Sequence, residues 1–174
     1  MEEQLQLVKP SSEYYEEYLA FYEEWKNSKE QIVPWVVDKD PYDFAAYLHF
    51  LESEKDESLL PQDFVPHSTY WLRRGDGRIV GAVNIRHRLN ERLLRVGGHI
   101  GYGIRPSERQ KGYATAILAQ SLEKTRELGL EKVLVVCDSW NTASEKTILK
   151  NGGVLESDYT EEDGNVVRRY WIEL

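Results

Sequence analysis

His99-Ile100-Gly101-Tyr102-Gly103-Ile104-Arg105-Pro106-Ser107-Glu108-Arg109-Gln110-Lys111-Gly112-Tyr113-Ala114-Thr115-Ala116-Ile117-Leu118 decides how this chain is read. An apolar, glycine-spaced run ends at Ile104, Arg105-Pro106 breaks it, and Ala114, Ile117, Leu118 and Leu122 recur at helical spacing. The stretch predicts a strand over 96–104, a polar turn, and a helix over 110–128 that begins near Gly112. The first amides of a helix lack intrahelical acceptors and sit at the positive end of its dipole, so they suit phosphate oxygens. Glycine at 112 adds no side chain to hold a phosphate off the backbone, while Arg109 and Lys111 add positive charge. Two better-known phosphate loops do not fit. After Gly101-Tyr102-Gly103 the third glycine of a dinucleotide fingerprint is missing, and no Gly-Lys-Ser/Thr run exists. Alone, Arg109-x-x-Gly112-x-Ala114 also fits a plain helix start beside a solvated basic turn.

Outward from this stretch the pattern is mixed. Residues 5–8 read as a strand stopped by Pro10, with Ser11-Ser12-Glu13 offering caps for a helix over 14–25 built on Tyr15, Tyr18, Leu19, Tyr22 and Trp25. A second helix is predicted over 41–51, with Pro41 in its first turn. Between them, 32–37 is an apolar connection in which Pro34 blocks a regular helix. Strands over 68–73 and 78–86 flank Arg74-Gly75-Asp76-Gly77, a hairpin turn signal, and a second hairpin joins 154–159 to 166–172. A strand over 132–137 and a helix over 142–150 complete a strand–helix–strand crossover inside an otherwise antiparallel arrangement. The expectation is one α/β (α+β) domain over 1–174. It has a mixed, mostly antiparallel sheet of six to seven strands, helices on both faces and a central β-α-β crossover.

Composition narrows the function. With 22 Lys+Arg against 30 Asp+Glu the net charge is -8, which opposes general binding to a nucleic-acid backbone. The single cysteine, Cys137, excludes an intramolecular disulfide and a cysteine-based zinc cage, and its apolar surroundings mark it as an ordinary buried thiol. No window approaches the roughly 20 apolar residues of a membrane span. The acidic first ten residues lack a signal-peptide pattern, so a cytoplasmic protein is expected.

The Arg-x-x-Gly-x-Ala motif follows a strand closing in x-Pro. It opens a long helix that leads to a strand, then to Asn141 and a helix ending in Lys150-Asn151-Gly152-Gly153. This arrangement resembles the GCN5-related N-acetyltransferase (GNAT) superfamily. The wording of Arg78-Ile79-Val80-Gly81-Ala82-Val83 and Gly97-Gly98-His99-Ile100-Gly101-Tyr102 is similar to a branch of uncharacterised predicted acetyltransferases. The resemblance is specific over about 78–154, the acetyl-CoA-binding core. Residues 1–65 match in element order only, as a variable helical segment on the substrate side.

The resemblance implies acetyl-CoA as co-substrate, with no metal, and direct attack of a primary amine on the thioester in a ternary complex. The backbone of Tyr102, Gly103 and Ile104 would bond the pantetheine arm beside a splay toward the next strand. The amides of Arg109, Gln110, Lys111, Gly112, Tyr113, Ala114 and Thr115 would hold the pyrophosphate. Asn141 would bond the pantetheine, although a helix cap is its other reading. The tyrosine that often protonates the leaving thiolate would stand at 148, and Ile148 stands there instead. Ser144, in Asn141-x-x-Ser144, matches the wording of family members in which a serine takes that role.

For the base, His99 on the cofactor strand and His87 at the end of the preceding strand are candidates, because imidazole titrates near neutral pH. Each also fits as a packed, hydrogen-bonded histidine, and a water chain to a distant carboxylate serves equally. Alternation puts His99, Gly101 and Gly103 on one face and Ile100, Tyr102 and Ile104 on the other. The acceptor expected is a small-molecule amine or a peptide N-terminus, and acidic residues among Tyr and Trp suit a cationic amine. The final hairpin offers an edge for a homodimer; neither nucleic acid nor membrane is expected as a partner. Two other readings use the same fold: a non-catalytic acyl-CoA-binding regulatory module, and a scaffold in which 109–114 is only a helix start.

Overall fold

The structure is a computed structural model describing residues 3–174. The chain runs β1 (Leu5–Val8), α1 (Tyr15–Ser28), a single turn α2 (Trp35–Asp38), α3 (Phe44–Ser53), β2 (His67–Arg74) and β3 (Ile79–Arg86). It continues through β4 (Ile100–Ile104), α4 (Tyr113–Glu127), β5 (Lys132–Asp138), α5 (Thr142–Lys150), β6 (Val154–Thr160) and β7 (Val166–Glu173). Both predicted hairpins form.

Four boundaries move, each for a local reason. Pro41 lies outside α3, whose N-cap is Asp43: its Oδ1 accepts from the Ala46 amide at 3.1 Å. Pro34 does not keep the 32–37 connection free of helix: it takes the N-cap position of the single turn α2, which buries Val36 and Val37. The strand expected from 96 begins at Ile100, because Leu93–Gly97 forms a wide π-type turn. Helix α4 begins at Tyr113 rather than 110, because Gln110 (φ 61°) and Gly112 (φ 82°) are both left-handed.

The sheet also divides. Strands order β1-β2-β3-β4 in one antiparallel sheet and β5-β7-β6 in another, with no ladder joining β4 to β5. The crossover expected between them is present as chain order, but its two strands share only a contact at one end.

Each face of the four-stranded sheet carries its own core. On one, Leu72, Val83, Ile85, Ile100 and Ile104 pack with Ile117 and Leu118 of α4, Val133 and Val135 of β5, and Tyr170 and Ile172 of β7. On the other, Trp71 stacks on Tyr18 at 4.1 Å between centroids, inside a group formed by Phe21, Trp25, Val36, Phe44 and Tyr47. Buried hydroxyls here are satisfied: Tyr18 and Tyr47 share a hydrogen bond of 2.7 Å, and Tyr47 donates to the Val36 carbonyl at 2.9 Å. The N-terminal helices are thus a packed layer on the sheet.

Candidate active site

The site is built where the two sheets part. The His99 amide donates to the Leu134 carbonyl at 2.7 Å, and the Leu134 amide donates back to His99 Nδ1 at 2.9 Å. Beyond that clasp β4 pairs with β3 alone and β5 with β7 alone, so their facing edges diverge with no ladder between them. An open strand edge offers amides and carbonyls to any extended ligand laid along it.

Toward the end of β4 the edge leads to α4. Its first intrahelical bond runs from the Ala116 amide to the Gly112 carbonyl, and Gly112 caps without a side chain. The amides of Tyr113, Ala114 and Thr115 therefore have no helical acceptor. Gly112 combines a positive φ with open space: a Cβ there would meet nothing within 4 Å. Gly103 shows the opposite constraint, since a Cβ there would lie 2.1 Å from the Val33 carbonyl oxygen and 2.4 Å from the Trp25 ring. Helix α1 and the segment that follows it press directly on β4 at that point.

The charges beside this loop are already engaged. Arg109 donates to the Ile104 carbonyl at 3.2 Å and to Glu30 at 2.6 Å, and lies 5.5 Å over the Trp25 ring. Arg105 is buried against Glu24 and donates to the Ile79 carbonyl at 3.2 Å. Lys111 donates to Glu108 at 2.8 Å. Glu108 is buried and also accepts from Arg74 at 3.0 Å and Arg78 at 2.6 Å. Burial raises its pKa, but the bonds from Lys111 and Arg78 and the charge of Arg74 outweigh that and hold it below the usual range. The free amides, rather than these cations, are the uncommitted donors at the helix start.

Across the splay, Tyr102 Oη and Ser144 Oγ lie 3.1 Å apart. Burial raises the Tyr102 pKa, so its hydroxyl stays protonated. The family resemblance implies Ser144 here; it implies only the backbone of Tyr102, whose side chain alternation sets on the same face as Ile100 and Ile104, the face that packs on α4. Asn141 Oδ1 accepts from the Ser144 amide at 3.1 Å and so caps α5, and among the described residues no hydrogen-bond partner engages its Nδ2. Ile148 is fully buried in the core. Burial pushes the Cys137 thiol up to about 11, with Glu145 adding to the effect, so it remains a thiol.

The histidines separate by geometry. His99 is 5% exposed, its Nδ1 lone pair is held by Leu134, and burial lowers its pKa to about 4. In the neutral ring Nε2 then carries the proton, which leaves no lone pair for a substrate amine. His87 pairs through Nε2 with Ser68 Oγ at 2.7 Å, and burial lowers its pKa too. His67, which the sequence did not single out, bridges Glu54 at 2.9 Å and Asn84 at 2.8 Å. Among the described residues no group of three or more His, Cys, Asp or Glu is gathered to hold a metal.

Comparison with known proteins places this geometry. The fold is shared, at TM-score 0.67 and 16% identity, with a chimera of the Vibrio cholerae spermidine N-acetyltransferase SpeG and hSSAT, covering 98% of this chain and 95% of that one. It is shared at TM-score 0.66 and 18% identity with the microcin C7 self-immunity acetyltransferase MccE in complex with acetyl-CoA and AMP, covering 98% and 93%. A putative phosphinothricin N-acetyltransferase matches at TM-score 0.59 and 17% identity, covering 98% and 99%. No curated protein matches the sequence. The model of the acetyltransferase (GNAT) domain matches residues 4–154. Because that match runs unbroken from β1 to the start of β6, through both open strand edges and the helix start between them, the chain belongs to the GNAT acetyltransferase family.

Proposed function

We propose that the chain is an acetyl-CoA-dependent N-acetyltransferase that passes the acetyl group directly to a primary amine. The observation that carries this reading is the pair of unladdered strand edges leading from the His99–Leu134 clasp to the free amides at the start of α4. A pantetheine arm fits the β4 edge, and a pyrophosphate fits the amides of Tyr113, Ala114 and Thr115. The N-acetyltransferase names borne by the spermidine and phosphinothricin neighbours support the same chemistry.

Acetyl-CoA supplies the activated acyl group; the chain supplies donors and a proton path. Amides on the open edge of β4 polarise the carbonyl. The Tyr102–Ser144 hydroxyl pair gives the leaving thiolate its proton, in place of the tyrosine missing at 148. His87 is the histidine left as base: burial lowers its pKa and, with Nε2–H donated to Ser68 Oγ, its Nδ1 lone pair is free, but its ring lies on the β2 side of β3, so it would act on the amine through water. The test is a thermal shift with acetyl-CoA followed by release of CoA thiol across an amine panel. A shift with amine-dependent thiol release is expected. No shift at millimolar acetyl-CoA overturns the reading, and a shift without thiol release assigns a non-catalytic acyl-CoA-binding module, a reading favoured by the buried Ile148.

A further inference from the structure

We propose that Arg86, with Arg92 near it, binds an anionic group, a carboxylate or a phosphate, carried by the acceptor amine. The proposal rests on the acetyltransferase reading and specifies its substrate. Arg86 is the last residue of β3, and its amide bonds the His99 carbonyl at 2.7 Å, so it sits beside the clasp from which the splay opens. Its guanidinium reaches over β4 on the face of α1 and α2: a Cβ on Gly101 would lie 3.2 Å from Arg86 Nη1. Gly101 neighbours Tyr102, so this is the strand segment along which the thioester is expected. At Gly103 the Val33 carbonyl closes the same face, whereas at Gly101 the arginine is the nearest group.

Arg86 lacks a counter-ion among the described residues of a chain of net charge -8; Arg73 shares that lack but lies 5.7 Å over the Tyr14 ring, away from β4. The half-buried side chain makes one hydrogen bond, from Nη1 to the Gly97 carbonyl at 3.2 Å, and no ion pair among the described residues. By contrast Arg74, Arg78, Arg105, Arg109, Arg168 and Arg169 each meet a carboxylate. Arg92 is close enough to join burial in lowering the Arg86 pKa to about 10, but it also lines a cleft with Glu91, Glu161, Glu162 and Asp163, so Arg86 is the principal anion-binding group. The other titratable groups that feel Arg86 are His67 and His99, which are bases as well. A guanidinium still charged at neutral pH, half drawn out of water beside two imidazoles and with Glu54 engaged by His67 instead, is costly unless an anion completes it. Its planar fork suits the paired oxygens of a carboxylate or phosphate. The cationic acceptor suggested by the acidic surface is disfavoured at this position.

The test measures kcat/KM by CoA thiol release for amino acids and aminoalkyl phosphates, each paired with its uncharged amide or alcohol, and for spermidine. Wild type is expected to prefer the charged member by roughly 10- to 100-fold, the scale of a hydrogen bond to a charged group. Arg86→Gln is expected to bring the ratio close to one, with Arg86→Lys between. The acetyl-CoA thermal shift reports whether each variant is folded. No preference in wild type, preference for spermidine, or a ratio unchanged in Arg86→Gln overturns the proposal; the carboxylate and phosphate arms identify which anion is used. If no amine releases thiol, the acetyltransferase reading fails separately. Calorimetric titration of wild type and Arg86→Gln with glutamate and inorganic phosphate then decides: binding lost in the variant upholds the anion site, and absent or equal binding removes it.

Discussion

Replacing Gly112 with leucine separates a glycine needed for folding from one needed for a ligand. At φ 82° an L-residue pays about 1–2 kcal/mol of backbone strain, and no clash adds to it because a Cβ at 112 meets nothing within 4 Å. For a domain of this size each kcal/mol moves the Tm by roughly 2–4 °C, so the free variant should melt cooperatively about 2–8 °C lower. Acetyl-CoA at about a hundred times its Kd should raise wild type by about 2.7 kcal/mol, or roughly 5–11 °C. In the variant the leucine side chain enters the space before the amides of Tyr113, Ala114 and Thr115. Losing two hydrogen bonds to a charged phosphate, each worth about 1.5–3 kcal/mol, weakens binding at least about a hundredfold. At the same acetyl-CoA concentration the shift should then shrink to about 1 °C. Differential scanning fluorimetry with and without acetyl-CoA reads both numbers. A full shift in Gly112→Leu would show that these amides do not hold the pyrophosphate, and a variant that no longer unfolds cooperatively would make the glycine a folding residue.

Three further outcomes are expected. Ser144→Ala and Tyr102→Phe should each lower kcat about 10-fold with little change in acetyl-CoA affinity, and the double variant by more than about 100-fold, because either hydroxyl can partly replace the other in the single variants; undiminished kcat in the double variant would assign the thiolate's proton to water. Gly103→Ala should destabilise by about 1–3 kcal/mol or more in urea unfolding, since its Cβ would lie 2.1 Å from the Val33 carbonyl oxygen, and a loss below about 0.5 kcal/mol would count against that close packing. The folded pKa of His99, about 4, is below its ordinary value of 6.5, so the unfolded chain binds the extra proton and stability falls as pH drops through that window. His99 alone contributes on the order of 3 kcal/mol between those limits; urea midpoints from pH 7.5 to 4.5 should therefore fall less steeply in His99→Asn, and parallel profiles would refute it.

The sequence made some of this molecule legible and concealed the rest for identifiable reasons. Both hairpins were readable because Gly75-Asp76-Gly77 and Asp163-Gly164-Asn165 impose local turn chemistry that owes nothing to the rest of the chain. Helix α5 was readable to the residue, since Asn141 caps it by a bond three residues long. Gly112 marked the start of α4, but the extension of the helix back to 110 failed because nothing in the periodicity announces a left-handed Gln110. The pairings around the site were harder still. Arg109–Glu30, Arg105–Glu24 and Tyr102–Ser144 join residues 79, 81 and 42 positions apart, and no local pattern encodes such meetings. The charge signals of Arg109 and Lys111 were visible in the sequence, but their neutralisation was not. For Tyr102 a clue existed: it faces α4 by alternation, as a serine one turn into α5 would.

These pairings change how an acidic chain handles a polyanionic ligand. If Arg105, Arg109 and Lys111 were free they would form a positive pocket, and affinity there would be dominated by side-chain charge. Glu24, Glu30 and Glu108 occupy them, so the net charge beside the helix start is small and the load falls on the amides of Tyr113, Ala114 and Thr115. Amide dipoles are fixed by the helix and need no side chain to be ordered on binding, which lowers the entropic cost of holding a phosphate. The ion pairs meanwhile tie the loop to α1 and the residues just after it, the same layer that covers β4 at Gly103. At the opposite end of β4, by contrast, Arg86 makes no ion pair among the described residues. On the acetyltransferase reading proposed above, donor and acceptor recognition would be separated along one strand: neutral backbone donors at its exit for the molecule that carries the acetyl group, and the guanidinium of Arg86 at its entry for the molecule that receives it.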